Sequence, residues 1–315
     1  MLITRPKHLS RSLSTFVAIA VAVLTHSIMA QAAPKQPKAF GSPSEAATAL
    51  VEAAKAKDQK MILDILGPSY SEWILSGDPV LDAQAQARFV DAYAQKSSVT
   101  MQGTDKATLL IGNDDFPFPF PIVKRGDRWS FDSEAGKEEL LNRRIGRNEL
   151  NTIEVLRAIV DAQREYATRD RDDDGAPDYA QKFISSPGKK DGLYWPTAQG
   201  EAQSPLGPLV ADAARRGYQK KSSDTEPVPY HGYYFRILRS QGAHASGGTY
   251  DYVVKGKMIG GFAVIAYPAR YDVSGIKTFL INHDGQVYER DLGPSTSKAA
   301  AEIGTFDPDS RWKEL

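Results

Sequence analysis

The sequence predicts an α+β protein: N-terminal helices with a small antiparallel sheet, then a long helix packed on a C-terminal antiparallel sheet. Three observations carry this. Apolar residues recur at helical spacing in 43–66, 82–95 and 137–168. Residues 98–132 and 233–290 alternate in the manner of strands between turn signals. At 315 residues, with 41% hydrophobic and 25% charged side chains, the chain has folded-protein composition and room for two modest domains.

The first element is a leader. Arg5, Lys7 and Arg11 precede the apolar run 16–24, and small residues follow, ending Ala30-Gln31-Ala32. That is the pattern of a secretory signal peptide over 1–32, with cleavage after Ala32 or, as the alternative, Ala30. Nine apolar residues fall short of the roughly 20 that span a bilayer, so no retained membrane span is expected and the location is periplasmic or secreted. Cleavage removes three basic and no acidic residues, leaving 36 basic against 39 acidic. Such a balance gives no surplus for a nucleic-acid partner. The absence of cysteine excludes disulfides, thiol catalysis, thiolate metal sites and a lipoprotein anchor.

Residues 33–40 read as a tether, and 41–135 as an N-terminal subdomain. Ser42 can cap a helix, Pro43 suits its first position and Glu45 can close a capping box. Leu50, Ala53, Ala54, Met61, Ile62, Ile65 and Leu66 form the apolar face, with a break near Lys57-Asp58 and a stop at Gly67-Pro68. A second helix is expected over 82–95. Strands follow at 107–111 and as a hairpin, 122–123 with 129–131, around Lys124-Arg125-Gly126-Asp127. In Phe116-Pro117-Phe118-Pro119-Phe120-Pro121 the rings fall on one side. Three prolines confine the run to an edge strand or polyproline II, burying its rings or offering an aromatic platform.

Residues 137–315 read as a second subdomain. Its helix over 137–168 is expected to break at Gly146, and presents Ile153, Leu156, Ile159, Val160, Gln163, Tyr166 and Ala167 on one stripe. A Gly/Pro/Ser-rich stretch, 185–229, holds a short helix at 209–215. Strands are expected at 233–239, 250–254, 262–267, 277–281 and 286–290, the last two joined by the turn Asn282-His283-Asp284-Gly285.

The sharpest chemical signal is the loop from Asp170 to Gln181. Asp170, Asp172, Asp174 and Asp178 occupy positions 1, 3, 5 and 9 of a calcium loop, Gly175 position 6, and Ala176 offers its carbonyl at position 7. A hard divalent ion needs many oxygens, and alternating carboxylates around a glycine bend supply them. Gln181 stands at position 12 in place of the bidentate Glu, which is expected to weaken Ca²⁺ affinity toward the roughly submillimolar to millimolar range of extracellular modules. The alternative is a solvated acidic turn, although carboxylates at a helix C-terminus oppose the macrodipole.

His231, His244 and His283 sit in turn or loop contexts, without a metalloprotease or nucleophile-elbow motif. Tyrosines crowd 230–290, and Gly192-Leu193-Tyr194-Trp195-Pro196 adds aromatic residues. Tyr194, Trp195, Tyr233, Tyr250 and His244 are therefore candidate ligand-binding residues, against the simpler reading of a sheet core.

Several motifs in one order carry a resemblance. They are Asp115-Phe116-Pro117-Phe118-Pro119 with Trp129-x-Phe131-Asp132, Gln163-x-x-Tyr166-Ala167 before the Asp-rich loop, Gly192-Leu193-Tyr194-Trp195-Pro196, and Gly260-Gly261-Phe262-Ala263. Together they resemble the bacterial domain-of-unknown-function family 2950 over about residues 40–315. The resemblance implies an address in the bacterial envelope and no particular activity. Residues 149–290 are also similar to the globular heads of pseudopilins, through Thr152-Ile153, Gly232-Tyr233-x-Phe235, Ala266-x-Pro268 and Gly285-x-Val287. The leader lacks the Gly-Phe processing site and following Glu through which pseudopilins assemble. The expectation is an exported, non-enzymatic binding or structural module with a calcium-type loop, its partner an envelope protein, peptide or glycan. A metal-assisted periplasmic hydrolase is the alternative.

Overall fold

Local capping sets the first helices in the computed structural model, which describes residues 35–171, 175–218 and 228–315. The expected leader lies outside them. Helix α1 (Pro43–Lys55) is capped by Ser42, whose Oγ accepts from the Glu45 N–H at 3.1 Å. Glu45 reciprocates one residue early, on the Gly41 N–H at 2.8 Å. Asp58 caps α2 (Gln59–Leu66) through the Met61 N–H. Gly67 ends α2 at φ +123°, where a Cβ would lie 2.3 Å from the Ser133 hydroxyl. A 3₁₀ turn and the short helix α3 (Ser71–Ile74) follow. Helix α4 (Pro79–Gln95) starts three residues before the expected position, because Asp78 caps it and Pro79 takes its first position.

Five strands form the first sheet: β1 (Ser97–Gln102), β2 (Lys106–Ile111), β3 (Phe116–Pro117), β4 (Ile122–Arg125) and β5 (Arg128–Phe131). All pairs are antiparallel in the order β1-β2-β4-β5, with β3 also on β2. Phe120 is buried and Phe118 half-buried, their rings 5.7 Å apart. Phe116 departs from the expected burial: it is 54% exposed, with the Arg143 guanidinium 4.4 Å from its ring centre.

Helix α5 (Ser133–Tyr166) is one uninterrupted element of 34 residues. The expected break at Gly146 does not occur. Leu141, Ile145, Asn148 and Thr152 are buried at helical spacing on both sides of it. That packing outweighs the roughly 1 kcal/mol propensity cost of one glycine. Farther along, Gln163 is fully buried, donating to the Ala180 carbonyl (2.8 Å) and accepting from the Ala180 N–H (2.9 Å).

After α6 (Gly207–Arg215) come β6 (Tyr233–Leu238), β7 (Ser240–Gln241), β8 (Tyr250–Asp251), β9 (Val253–Val254), β10 (Lys257–Met258), β11 (Ala263–Pro268), β12 (Lys277–Asn282) and β13 (Val287–Asp291), then α7 (Thr296–Glu302) and β14 (Lys313–Glu314). The second sheet runs β14-β13-β12-β11-β6, antiparallel throughout. The expected strand at 250–254 lies outside it, divided between the small β7–β8 and β9–β10 ladders. Helix α7 and strand β14 have no counterpart in the sequence reading. Both alternating sets of side chains on β11 and β12 are almost entirely buried, so both faces of the sheet are covered.

Residues 35–315 form one compact unit containing two large apolar clusters. One gathers Leu50, Ile65, Leu109, Ile122 and Phe131; the other joins Leu156, Ile159 and Val160 of α5 to Val264, Ile265 and Phe279. A smaller cluster of Leu141, Ile145 and Val273 lies against the middle of α5. Among the described residues, no helix is long and apolar enough to cross a membrane.

Candidate functional site

The structure distributes the sequence-predicted residues. Asp172 and Asp174 lie outside the described residues. Asp170 accepts the Gly175 N–H at 2.8 Å. Asp178 is buried and accepts the Met258 N–H at 3.3 Å, while Gln181 donates to the Gly256 carbonyl at 2.6 Å. The loop's C-terminal end, Ala176 onward, is thus tied to the β9–β10 hairpin, reinforced by a backbone bridge from Tyr179 to Met258. Among the described residues, no group of three or more His, Asp or Glu is placed to hold a metal ion.

The aromatic candidates separate into core and surface. Tyr233 has no exposed area and donates its hydroxyl to the Lys277 carbonyl, so it is a core residue and not a ligand contact. Trp195 is buried under Arg171 and Lys190, each about 5.6–5.7 Å from its ring. Tyr194 is half-buried, with its backbone paired to Phe183 and Ser185. Tyr250 and His244 are exposed, and His244 is paired with Asp307 at 3.0 Å.

The surface also carries a groove of about 1270 Å³ between α1, α2 and α4, the Phe116–Phe120 run and α5. Seven basic side chains line it against two acidic ones, in a chain whose sequence carries 39 basic and 39 acidic residues. Helix α5 supplies Arg143, Arg144, Arg147, Asn148 and Asn151, whose three- and four-residue spacing puts them on one face. Arg88 comes from α4, Arg216 from the end of α6, and Arg270 from beyond β11.

These arginines do different work. Arg144 donates to the Trp73 and Ile74 carbonyls, and Arg270 to those of Glu72 and Leu75. Two cations thereby satisfy the open C-terminus of α3, where the dipole is negative. Burial lowers the Arg144 pKa, Asp82 opposes this, and Arg270 and Arg147 add to it. Arg143 pairs with Glu139 and donates to the Pro117 carbonyl; Arg216 pairs with Asp212. The side chains of Arg88 and Arg147 have neither hydrogen bond nor ion pair among the described residues, and both reach solvent. Burial lowers the Arg88 pKa, and repulsion from Arg147 and Arg216 lowers it further.

At one end the groove meets His231, which is 6% exposed and adopts φ +51° ahead of Gly232 at +76°. A Cβ on Gly232 would lie 2.7 Å from the Asn148 amide, which itself donates to the Ser274 carbonyl. Asn151 Nδ2 lies 3.3 Å from His231 Nδ1, and the Tyr230 ring centre is 4.3 Å from the imidazole. Burial, and then Arg216, hold the His231 pKa down at about 4; Asp212 opposes them. Tyr218 packs on the same imidazole and donates to Asp78 at 2.8 Å. Burial raises the Asp78 pKa despite the helix-cap hydrogen bonds it accepts.

Only part of this face is legible in the sequence. Arg143-Arg144-x-x-Arg147 within a helical stretch is a readable signal of a basic face. Arg88, Arg216 and Arg270 join that face only through tertiary folding.

Fold and groove together define an α+β protein with a basic cleft over a partly apolar floor. The chain belongs to the family described as "Protein of unknown function (DUF2950)", whose profile matches residues 37–315. No curated protein and no solved structure matches it.

Proposed function

We propose that this is an exported, non-enzymatic binding protein of the cell envelope whose ligand is anionic and occupies the arginine groove. Residues 1–32 direct export in this reading. The observation that supports it most is Arg88 and Arg147: two neighbouring guanidiniums without a carboxylate partner among the described residues. Guanidinium is the side chain best matched to carboxylate and phosphate oxygens, and like charges held together without counter-charge favour an incoming anion. Calcium in the 170–181 loop is the secondary part of the proposal, an ion fastening the end of α5 toward the β9–β10 hairpin.

Retention of residues 33–315 on a sulfonate or heparin matrix at pH 7.5 tests the main reading. A chain with more acidic than basic residues is expected to bind weakly unless its cations are clustered. The protein should be retained, and Arg88→Gln/Arg147→Gln should elute at distinctly lower salt. Equal elution of the two proteins would remove the groove as the anion site.

A further inference from the structure

The groove floor is apolar where its rim is cationic. Ile62, Phe89, Phe118 and Leu140 are only half-buried, and they continue the packed side chains of Leu66 and Phe120 into the open cleft. The Phe89 and Phe118 rings lie 5.1 Å apart and extend the Phe118–Phe120 contact into one aromatic strip. Contiguous, partly exposed apolar surface of this kind in a concave site favours an apolar occupant. A purely hydrophilic anion would leave it wet.

Head and floor together narrow the ligand. A phosphate monoester carries a charge of about −1.5 to −2 near neutral pH, which matches two unpaired guanidiniums better than one carboxylate does. Arg143 also sits at the rim, but its Glu139 partner and its place over Phe116 already engage it. Arg144 and Arg270 are held by the carbonyls of 72–75. Arg88, Arg147 and, beyond the end of α1, Lys57 are therefore the cations left for a headgroup, and only Arg88 and Arg147 among them offer guanidinium forks.

We propose that the groove binds a single-chain lipid ending in a phosphate monoester, its acyl chain along Ile62, Phe89 and Phe118 and its phosphate at Arg88 and Arg147. This rests on the anion-binding reading above and specifies its ligand class. Each buried methylene strengthens binding by up to about fourfold, so affinity depends on chain length as well as on the head.

Calorimetric titration of residues 33–315, below the micelle concentration of each probe, tests this. The probes are oleoyl and octanoyl lysophosphatidate, oleate, oleoylglycerol and glycerol 3-phosphate. Oleoyl lysophosphatidate should bind at least tenfold tighter than each of the others. Arg88→Gln/Arg147→Gln should lose at least tenfold for lysophosphatidate and little for oleoylglycerol. Ile62→Gln should flatten the chain-length dependence; should that variant melt early, a diazirine-bearing lysophosphatidate mapped by mass spectrometry replaces it and must label groove residues. Oleate binding as tightly as oleoyl lysophosphatidate would overturn the phosphate head. Glycerol 3-phosphate or heparin binding as tightly would overturn the acyl chain, yet leave the anionic reading standing. No binding by any anion would overturn both, and labelling away from the groove would overturn this placement.

Discussion

Replacing His231 by asparagine gives a direct measure of how far the groove's inner end is shielded from water. The imidazole is buried beside Arg216, and its pKa falls from the ordinary 6.5 to about 4. On unfolding it returns to the ordinary value, so the unfolded chain binds the proton first as pH falls. Stability from this residue is therefore complete above about pH 6.5 and is lost progressively down to about pH 4. At 1.36 kcal/mol per unit, the loss between pH 7 and pH 4.5 is about 2 kcal/mol. Asparagine tolerates the left-handed backbone at this position and does not titrate. Asp78 acts with the opposite sign: its raised pKa stabilises the fold as pH drops toward 3.8, in both proteins alike. Urea unfolding followed by the fluorescence of the four tryptophans, at pH 7, 6, 5 and 4.5, reads the difference. His231→Asn should lose about 2 kcal/mol less than the parent over that range. Parallel pH curves for the two proteins would mean that the imidazole is protonated without cost, and the shielding argument would fail.

Three other outcomes follow from the same structure. Gly136→Ala places a Cβ 2.1 Å from the buried Phe120 ring, at the groove floor; overpacking should cost about 1–3 kcal/mol in urea unfolding despite the better helix former, and unchanged stability would show that the ring yields freely. Gln163→Leu strands both the N–H and the carbonyl of buried Ala180, for an expected loss of about 2–5 kcal/mol. A loss under about 0.5 kcal/mol would mean that water replaces the amide. Calcium added to the chelated protein at about 100 times its dissociation constant should contribute about 2.7 kcal/mol, raising Tm by about 5 °C or more; no shift at 10 mM would take the ion out of the 170–181 loop.

What the sequence made legible was mostly local. Ser42-Pro43, Asp58 and Gly67-Pro68 mark helix ends through caps and breakers, and the structure uses each of them. The hairpin expected around Lys124–Asp127 forms, with a tighter turn: Lys124 and Arg125 extend β4 and pair with Trp129 and Arg128. Elsewhere tertiary packing overrides local preference. Gly146 continues a helix because Ile145 and Asn148 are buried beside it. Tyr233 has the residue type of a recognition site, yet the two-sided burial of its sheet takes its ring inside. Strand β14 has too few residues to show a period. The groove was least legible: its arginines come from four separate segments, and helical spacing reports only those within α5.

Helix α5, about 50 Å long at 1.5 Å per residue, runs from the Phe120 contact at Gly136 to the Gln163–Ala180 contact. Its buried face is shared between partners that are remote in the chain, so the two halves are not separable parts. A recombination joint placed within 133–166 would have to match both partners at once, and a protease cut there would strip apolar cover from both. Inheritance of this protein is therefore expected to proceed by substitution along an intact spine, with exchange of segments confined to the loops on either side.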